Sequence, residues 1–189
     1  MPVSAHDVAD ALRKRIPECP KVKLQKLLYY CQGLHLALED EPMFTERIEA
    51  WEHGPVVASL WRAEEHGHDR PPPTPLTDRM TQTVDYVVQR YGSLTGGELE
   101  EMSHDEAPWR DLRAPDGADH WVLVTSDSEI TIEALEAWFA HDAGIAEWNR
   151  SVEALRERSD VYGFGSLRPD VSDLADDVLV GKVDADLQF

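Results

Sequence analysis

The stretch VKLQKLLYYCQGLHLALED, Val22 to Asp40, decides the fold. Leu24, Leu27, Leu28, Cys31, Leu34 and Leu38 fall on one side of a spiral of about 3.6 residues per turn. That spacing predicts the strongest helix in the chain and makes it the core helix. Gly33 interrupts it at a cost of about 1 kcal/mol in helix propensity, so another backbone is expected to pack closely there.

Outward from this helix, Ser4 and Asp7 form a capping-box pattern ahead of Val8, Leu12 and Ile16, a short helix that Pro17 and Pro20 end. On the other side, FTERIEAWE (44–52) alternates partially, with Phe44, Ile48 and Ala50 on one parity, and predicts a short strand. His53-Gly54-Pro55 punctuates it. Proline suits the first turn of a helix, so Pro55 is expected to open one bearing Val56, Val57, Leu60 and Trp61, with Gly67 as its stop. Met80, Val84, Val87, Val88 and Tyr91 mark an amphipathic helix, and Thr95 to Glu98 a second capping box. Residues 107–127 read as loop, although Trp121 to Val124 can extend. Ile132, Leu135 and Phe139 predict a further helix, as do Ile145, Trp148, Val152 and Leu155.

The expected architecture is mainly α: a compact helical domain over residues 1–141, with at most a short β element near 44–52. A C-terminal helical extension and acidic tail follow over 142–189. There Val171, Leu174, Ala175, Val178 and Leu179 form an apolar stripe between a cap at Asp170 and a stop at Gly181. A helix so short is marginal alone and folds by docking that stripe on the core or on a partner.

With 189 residues, 42% apolar and 29% charged, the chain is long enough to fold around a core. It carries 37 acidic and 18 basic residues, a net charge of −19. Such a chain repels phosphate backbones and anionic lipid, which disfavours nonspecific nucleic-acid and membrane binding. The charge is uneven: residues 1–30 are net +3, whereas 159–189 carry seven aspartates against two basic residues. An acidic body can steer encounter with a basic partner surface. The two cysteines, Cys19 and Cys31, are too few to staple the fold and are expected reduced in a cytoplasmic protein.

The inventory of reactive groups points to no particular chemistry. His66 and His68 near His53 form a His-x-His pattern, a weak metal signal by itself. Cys31 and His35 have ligand spacing, and Cys19 offers a third ligand, but a fourth is missing. Cys31 on the apolar stripe reads as a buried small hydrophobe. Ser103 and His104 are chain neighbours and splay apart on a helix; no nucleophile elbow or phosphate-binding glycine loop is present. No metal, cofactor or catalytic set is expected. The chain has six tryptophans, a residue that anchors protein interfaces. Trp109, after Pro108, is expected outside the helix-packing core.

KLQKLLYYCQGLHLAL (Lys23–Leu38) followed by IEAWEHGPVVASLW (Ile48–Trp61) resembles the Panacea antitoxin domain, the family that includes the antitoxin SocA and phage-associated relatives. ELEEMSHDEAPWRDLR (Glu98–Arg113) and EITIEALEAWFA (Glu129–Ala140) continue the pattern in order, so the resemblance covers roughly residues 5–140. It implies a mostly helical fold and an antitoxin that neutralises a nearby-encoded cognate toxin by direct contact, with a homo-oligomer or a toxin–antitoxin heterotetramer as its assembly. His53, Gly54, Pro55, His104, Trp109, Leu174 and Val178 are the candidate toxin-binding residues. Other readings are an adaptor delivering the toxin to a protease, or a hydrolase or transferase using His53 or His104. A small DNA-binding regulator, with the basic 13–26 region as its footprint, is a further one. A recognition helix must be polar and basic, and the core helix is too apolar beyond Lys26 for that role.

Overall fold

The computed structural model describes residues 1–67, 70–115, 121–124 and 128–141. Among them are seven helices and a small antiparallel sheet. In chain order the elements are α1 (Ala5–Arg15), α2 (Lys21–Glu39), β1 (Ile48–Trp51), β2 (Gly54–Val57), α3 (Ala58–His66), α4 (Asp78–Tyr91), α5 (Gly96–Asp105), α6 (Ala107–Arg110), β3 (Arg113–Pro115), β4 (Trp121–Leu123), β5 (Glu129–Ile130) and α7 (Ile132–Phe139). The strands form a sheet of order β2-β1-β5 and a separate β3–β4 hairpin. Among the described residues, no helix is long and apolar enough to cross a membrane.

Local sequence signals set most boundaries. Both capping boxes form, Ser4 with Asp7 at α1 and Thr95 with Glu98 at α5. Gly67 closes α3 in the left-handed conformation, with φ of 65°. The amphipathic stripe of α4 turns Met80, Val84, Val87 and Tyr91 inward. The strand expected near 44–52 is β1, whose Ile48 and Ala50 point into the core.

Two expectations about local structure need correction. Pro55 does not open a helix. It lies in β2, opposite Ala50 of β1, and α3 begins only at Ala58. Proline is tolerated because β2 is an edge strand, where a missing N–H breaks no ladder bond. The segment after residue 107 is not all loop: Ala107–Arg110 is a helical turn, and Arg113–Pro115 pairs with Trp121–Leu123. The expected helix through Ile145, Trp148, Val152 and Leu155 lies outside the described residues, as does the stripe Val171 to Leu179.

The core is built around α2, against which α1, α4, α5, α7 and β2 all pack. Every residue from Lys23 to Leu36 is buried, so the leucine stripe is only part of what α2 hides. Gly33 explains how α7 reaches it. A Cβ there would stand 2.1 Å from the Phe139 ring, so the close approach expected at this glycine is made by an aromatic ring rather than a backbone. Phe139 in turn meets Tyr29 and Tyr30 edge-on, at centroid distances of 5.5 and 6.1 Å.

Gly33→Ala is therefore expected to cost about 1–3 kcal/mol through overpacking. Combined with Phe139→Leu, the loss should fall short of the sum of the single losses by at least about 0.5 kcal/mol, because both changes act on one contact. Urea denaturation of the four proteins in the cycle checks this, and simple additivity would show that α7 does not bear on Gly33.

Candidate functional site

The motif residues of the sequence converge where the β1–β2 turn meets α2 and α5. A two-stranded turn at Trp51–Gly54 leaves the outer edge of β2 without a strand partner. Helix α2 supplies the missing partners from side chains. Gln25 Oε1 accepts from the Val57 N–H at 2.8 Å. Lys26 Nζ donates to the His53 carbonyl and, at 3.2 Å, to the Pro55 carbonyl. Lys26 is 1% exposed, and its ammonium is buried beneath the turn. Burial pushes its pKa down to about 8, with Glu100 opposing.

This arrangement dictates the glycine. Gly54 has φ of +89°, and a Cβ there would lie 2.7 Å from Lys26 Nζ and 2.8 Å from Ser103 Oγ. Neither the conformation nor the space admits a side chain. Ser103 is buried and donates to the Glu100 carbonyl at 2.8 Å. His53 projects outward, its side chain 78% exposed, with Nδ1 2.9 Å from Glu100 Oε1.

The His104–Trp109 motif braces the same turn from below. The His104 ring stacks on Trp109 at 3.8 Å between centroids. Trp109 Nε1 donates to the Trp51 carbonyl at 2.8 Å, and Trp121 closes against both rings. Trp109 is fully buried, which corrects the expectation that it stands outside the core: the α6 turn aims its indole inward to cap the end of β1. Burial lowers the His104 pKa, so the ring is held neutral, and its Nε2 has no hydrogen-bond partner. Glu106, joining α5 to α6, accepts from the Tyr29 and Tyr30 hydroxyls at 2.5 and 3.1 Å. Burial and that carboxylate raise both tyrosine pKa values. The paired tyrosines of the core helix thus fix the loop that presents His104 and Trp109.

Of the candidate binding residues, His53, Gly54, Pro55, His104 and Trp109 gather at this turn, and His53 is the exposed one. Leu174 and Val178 lie outside the described residues. Sequence reading missed Gln25, Lys26 and Arg113. Arg113 donates to the Ala50 carbonyl through Nε at 2.8 Å and Nη2 at 2.5 Å, and to the Trp121 carbonyl through Nη1 at 2.5 Å. No local periodicity marks such residues, because each partner is a backbone group farther along the chain.

Of the basic 13–26 region only Lys14 stands exposed and unpaired. Arg13 pairs with Glu64, Arg15 with Asp85, and Lys21 with Glu65. Lys23 donates to the Gly92 carbonyl at 2.6 Å, and Lys26 is spent on β2. Cys31 is fully buried, its thiol pKa raised by desolvation, and His35 Nδ1 sits 3.0 Å from Thr83 Oγ1. Among the described residues, no group of three or more His, Cys, Asp or Glu is placed to hold a metal ion.

Residues 24–110 match the family model for the antitoxin SocA-like Panacea domain. The matched segment runs from the first buried leucine of α2 to the end of α6, and so contains Gln25, Lys26, the 53–55 turn and the His104–Trp109 brace. It is narrower than the span over which motifs are recognisable, leaving out α1 and α7. No curated protein and no solved structure matches the chain.

Lys26→Met should lower stability by about 2 kcal/mol or more at neutral pH, since two buried carbonyls lose their donor. The pH dependence has a definite sign. The folded pKa of about 8 lies below the ordinary 10.5, so between those values the unfolded chain binds the extra proton. Stability of the wild type relative to Lys26→Met should therefore rise with pH across that window. Denaturation midpoints of both proteins from pH 7 to 10.5 check it; a relative stability that falls with pH would contradict the burial of the ammonium.

Proposed function

We propose that the protein is an antitoxin that neutralises a cognate toxin by direct contact. The observation that carries this reading is the Panacea match, which covers the turn and its braces from α2, α5 and α6. The polar chemistry of that turn supports it. Lys26, Gln25, Arg113 and Trp109 spend hydrogen bonds on backbone carbonyls or N–H groups, so the motif builds and stiffens a surface. His53 stands at its tip. Gly54, Pro55, His104 and Trp109 act on the toxin through the position they give to that tip.

Beside it lies an apolar surface. Arg113 ties β1 to β4, and the β4 segment exposes Val122 at 45%, Leu123 at 38% and Val124 at 54%. Consecutive exposed aliphatics on a short hairpin are what a binding face offers and what an isolated surface has no use for. The acidic composition adds steering towards a basic partner.

Co-expression should rescue growth from the toxin encoded beside this protein, and the two should co-purify. Leu123→Asp should weaken the complex about tenfold or more while leaving the melting temperature within about a degree, as surface substitutions do. The association rate should fall as salt rises. Rescue with no complex detectable by calorimetry or co-purification would refute neutralisation by contact.

A further inference from the structure

Between α2, the β1–β2 turn and α3 lies a cleft of about 400 Å³, within the range of small-ligand sites. Trp51 and Trp61 line it, with their rings edge to face at 5.7 Å. Three donor groups line it as well: Gln25, Lys26 and Arg113. Their hydrogen bonds leave a surplus. Gln25 is wholly buried, its Oε1 fixed by the Val57 N–H, and its Nε2 has no partner. Lys26 uses two of its three N–H groups and Arg113 three of its five on backbone carbonyls. Glu52 also lines the cleft and is drawn electrostatically towards Arg113, which offsets its charge.

An amide nitrogen buried without a partner costs about 1–3 kcal/mol, and a native structure carries such a cost where something else supplies the acceptor. The acceptor must suit an ammonium and a guanidinium as well as an amide. A carboxylate meets that requirement, because it accepts several bonds at once and its charge strengthens each. The tryptophans require that the carboxylate be carried on an apolar body. We propose that this cleft is a binding site for a carboxylate on an apolar group about the size of one amino-acid residue. The carboxylate faces the wall formed by Gln25, Lys26 and Arg113, and the apolar group packs on the joined surface of Trp51 and Trp61.

The full-length protein, labelled with nitrogen-15, is titrated with N-acetyl-leucine, N-acetyl-leucinamide and phenylacetate, and the Gln25 side-chain amide and the Trp51 and Trp61 indole N–H signals are followed. The two carboxylates should shift these signals in a saturable way, and N-acetyl-leucinamide should bind about tenfold more weakly. N-acetyl-leucine binding tighter than phenylacetate identifies a peptide C-terminus as the natural ligand, and the reverse order a small free acid; either supports the site. Gln25→Leu should weaken the carboxylates about tenfold. Since that change also removes the bond to Val57, Trp61→Ala serves as the second variant, with folding read from the dispersion of the same spectra. The proposal is overturned if these signals do not move at millimolar probe, if the amide binds as tightly as the acid, or if folded Trp61→Ala binds undiminished.

Discussion

A helix buried on every side has to satisfy its own polar side chains, and the rest of this structure follows from how α2 does so. Lys23, Gln25, Lys26, Gln32 and His35 are all buried. Each is bonded to a different part of the chain: the Gly92 carbonyl, the Val57 N–H, the 53–55 turn, the 43–44 backbone and Thr83. Leaving any of these unpaired in the interior costs more than the bond itself contributes. The polar positions of α2 therefore fix the loops in place, while its leucines provide the apolar burial that holds helices α1, α4, α5 and α7 around it. Specificity and stability come from different residues of one helix.

The braced turn shows what that division does for the surface. An edge strand of four residues with a proline has little means of holding itself. Here a lysine and a glutamine from the helix below act as its neighbouring strand, and Trp109 caps the strand beside it. The outcome is a rigid tip bearing His53 above a core that does not yield. Preorganisation of that kind reduces what a partner must spend on ordering the surface it binds. The same construction creates the aromatic cleft, because side chains reaching under β2 leave donors on its far side.

The acidic character of the molecule acts through a different range. Among the described residues most cations are consumed in pairs, as with Arg15 and Asp85 or Arg70 with Asp7 and Asp10, or turned towards carbonyls. The excess negative charge is thus left to act outward, over distances of about a Debye length, on whatever approaches. In the proposed antitoxin, short-range recognition rests with the tip and the apolar hairpin, and long-range attraction with the net charge.

The sequence by itself determined most of the described helices, their caps and the resemblance to the Panacea domain. Spacing of apolar residues, capping boxes and a terminal glycine are local signals, written within a few positions of one another, as at Ser4–Asp7, Thr95–Glu98 and Gly67. It also marked the special positions Gly33 and Gly54, because glycine in a helix or before proline is conspicuous. What occupied the space beside them was decided only by tertiary structure: Phe139 against the first, Lys26 and Ser103 against the second. The same holds for Pro55, which reads locally as a helix start but becomes an edge-strand residue once β1 pairs with β2. Trp109 and Lys26 are the clearest cases. By composition one looks like an exposed anchor and the other like a surface cation, yet each is buried because a carbonyl far along the chain, in Trp51 or in the 53–55 turn, accepts its proton. No local pattern encodes a bond whose two ends meet only after the chain has folded.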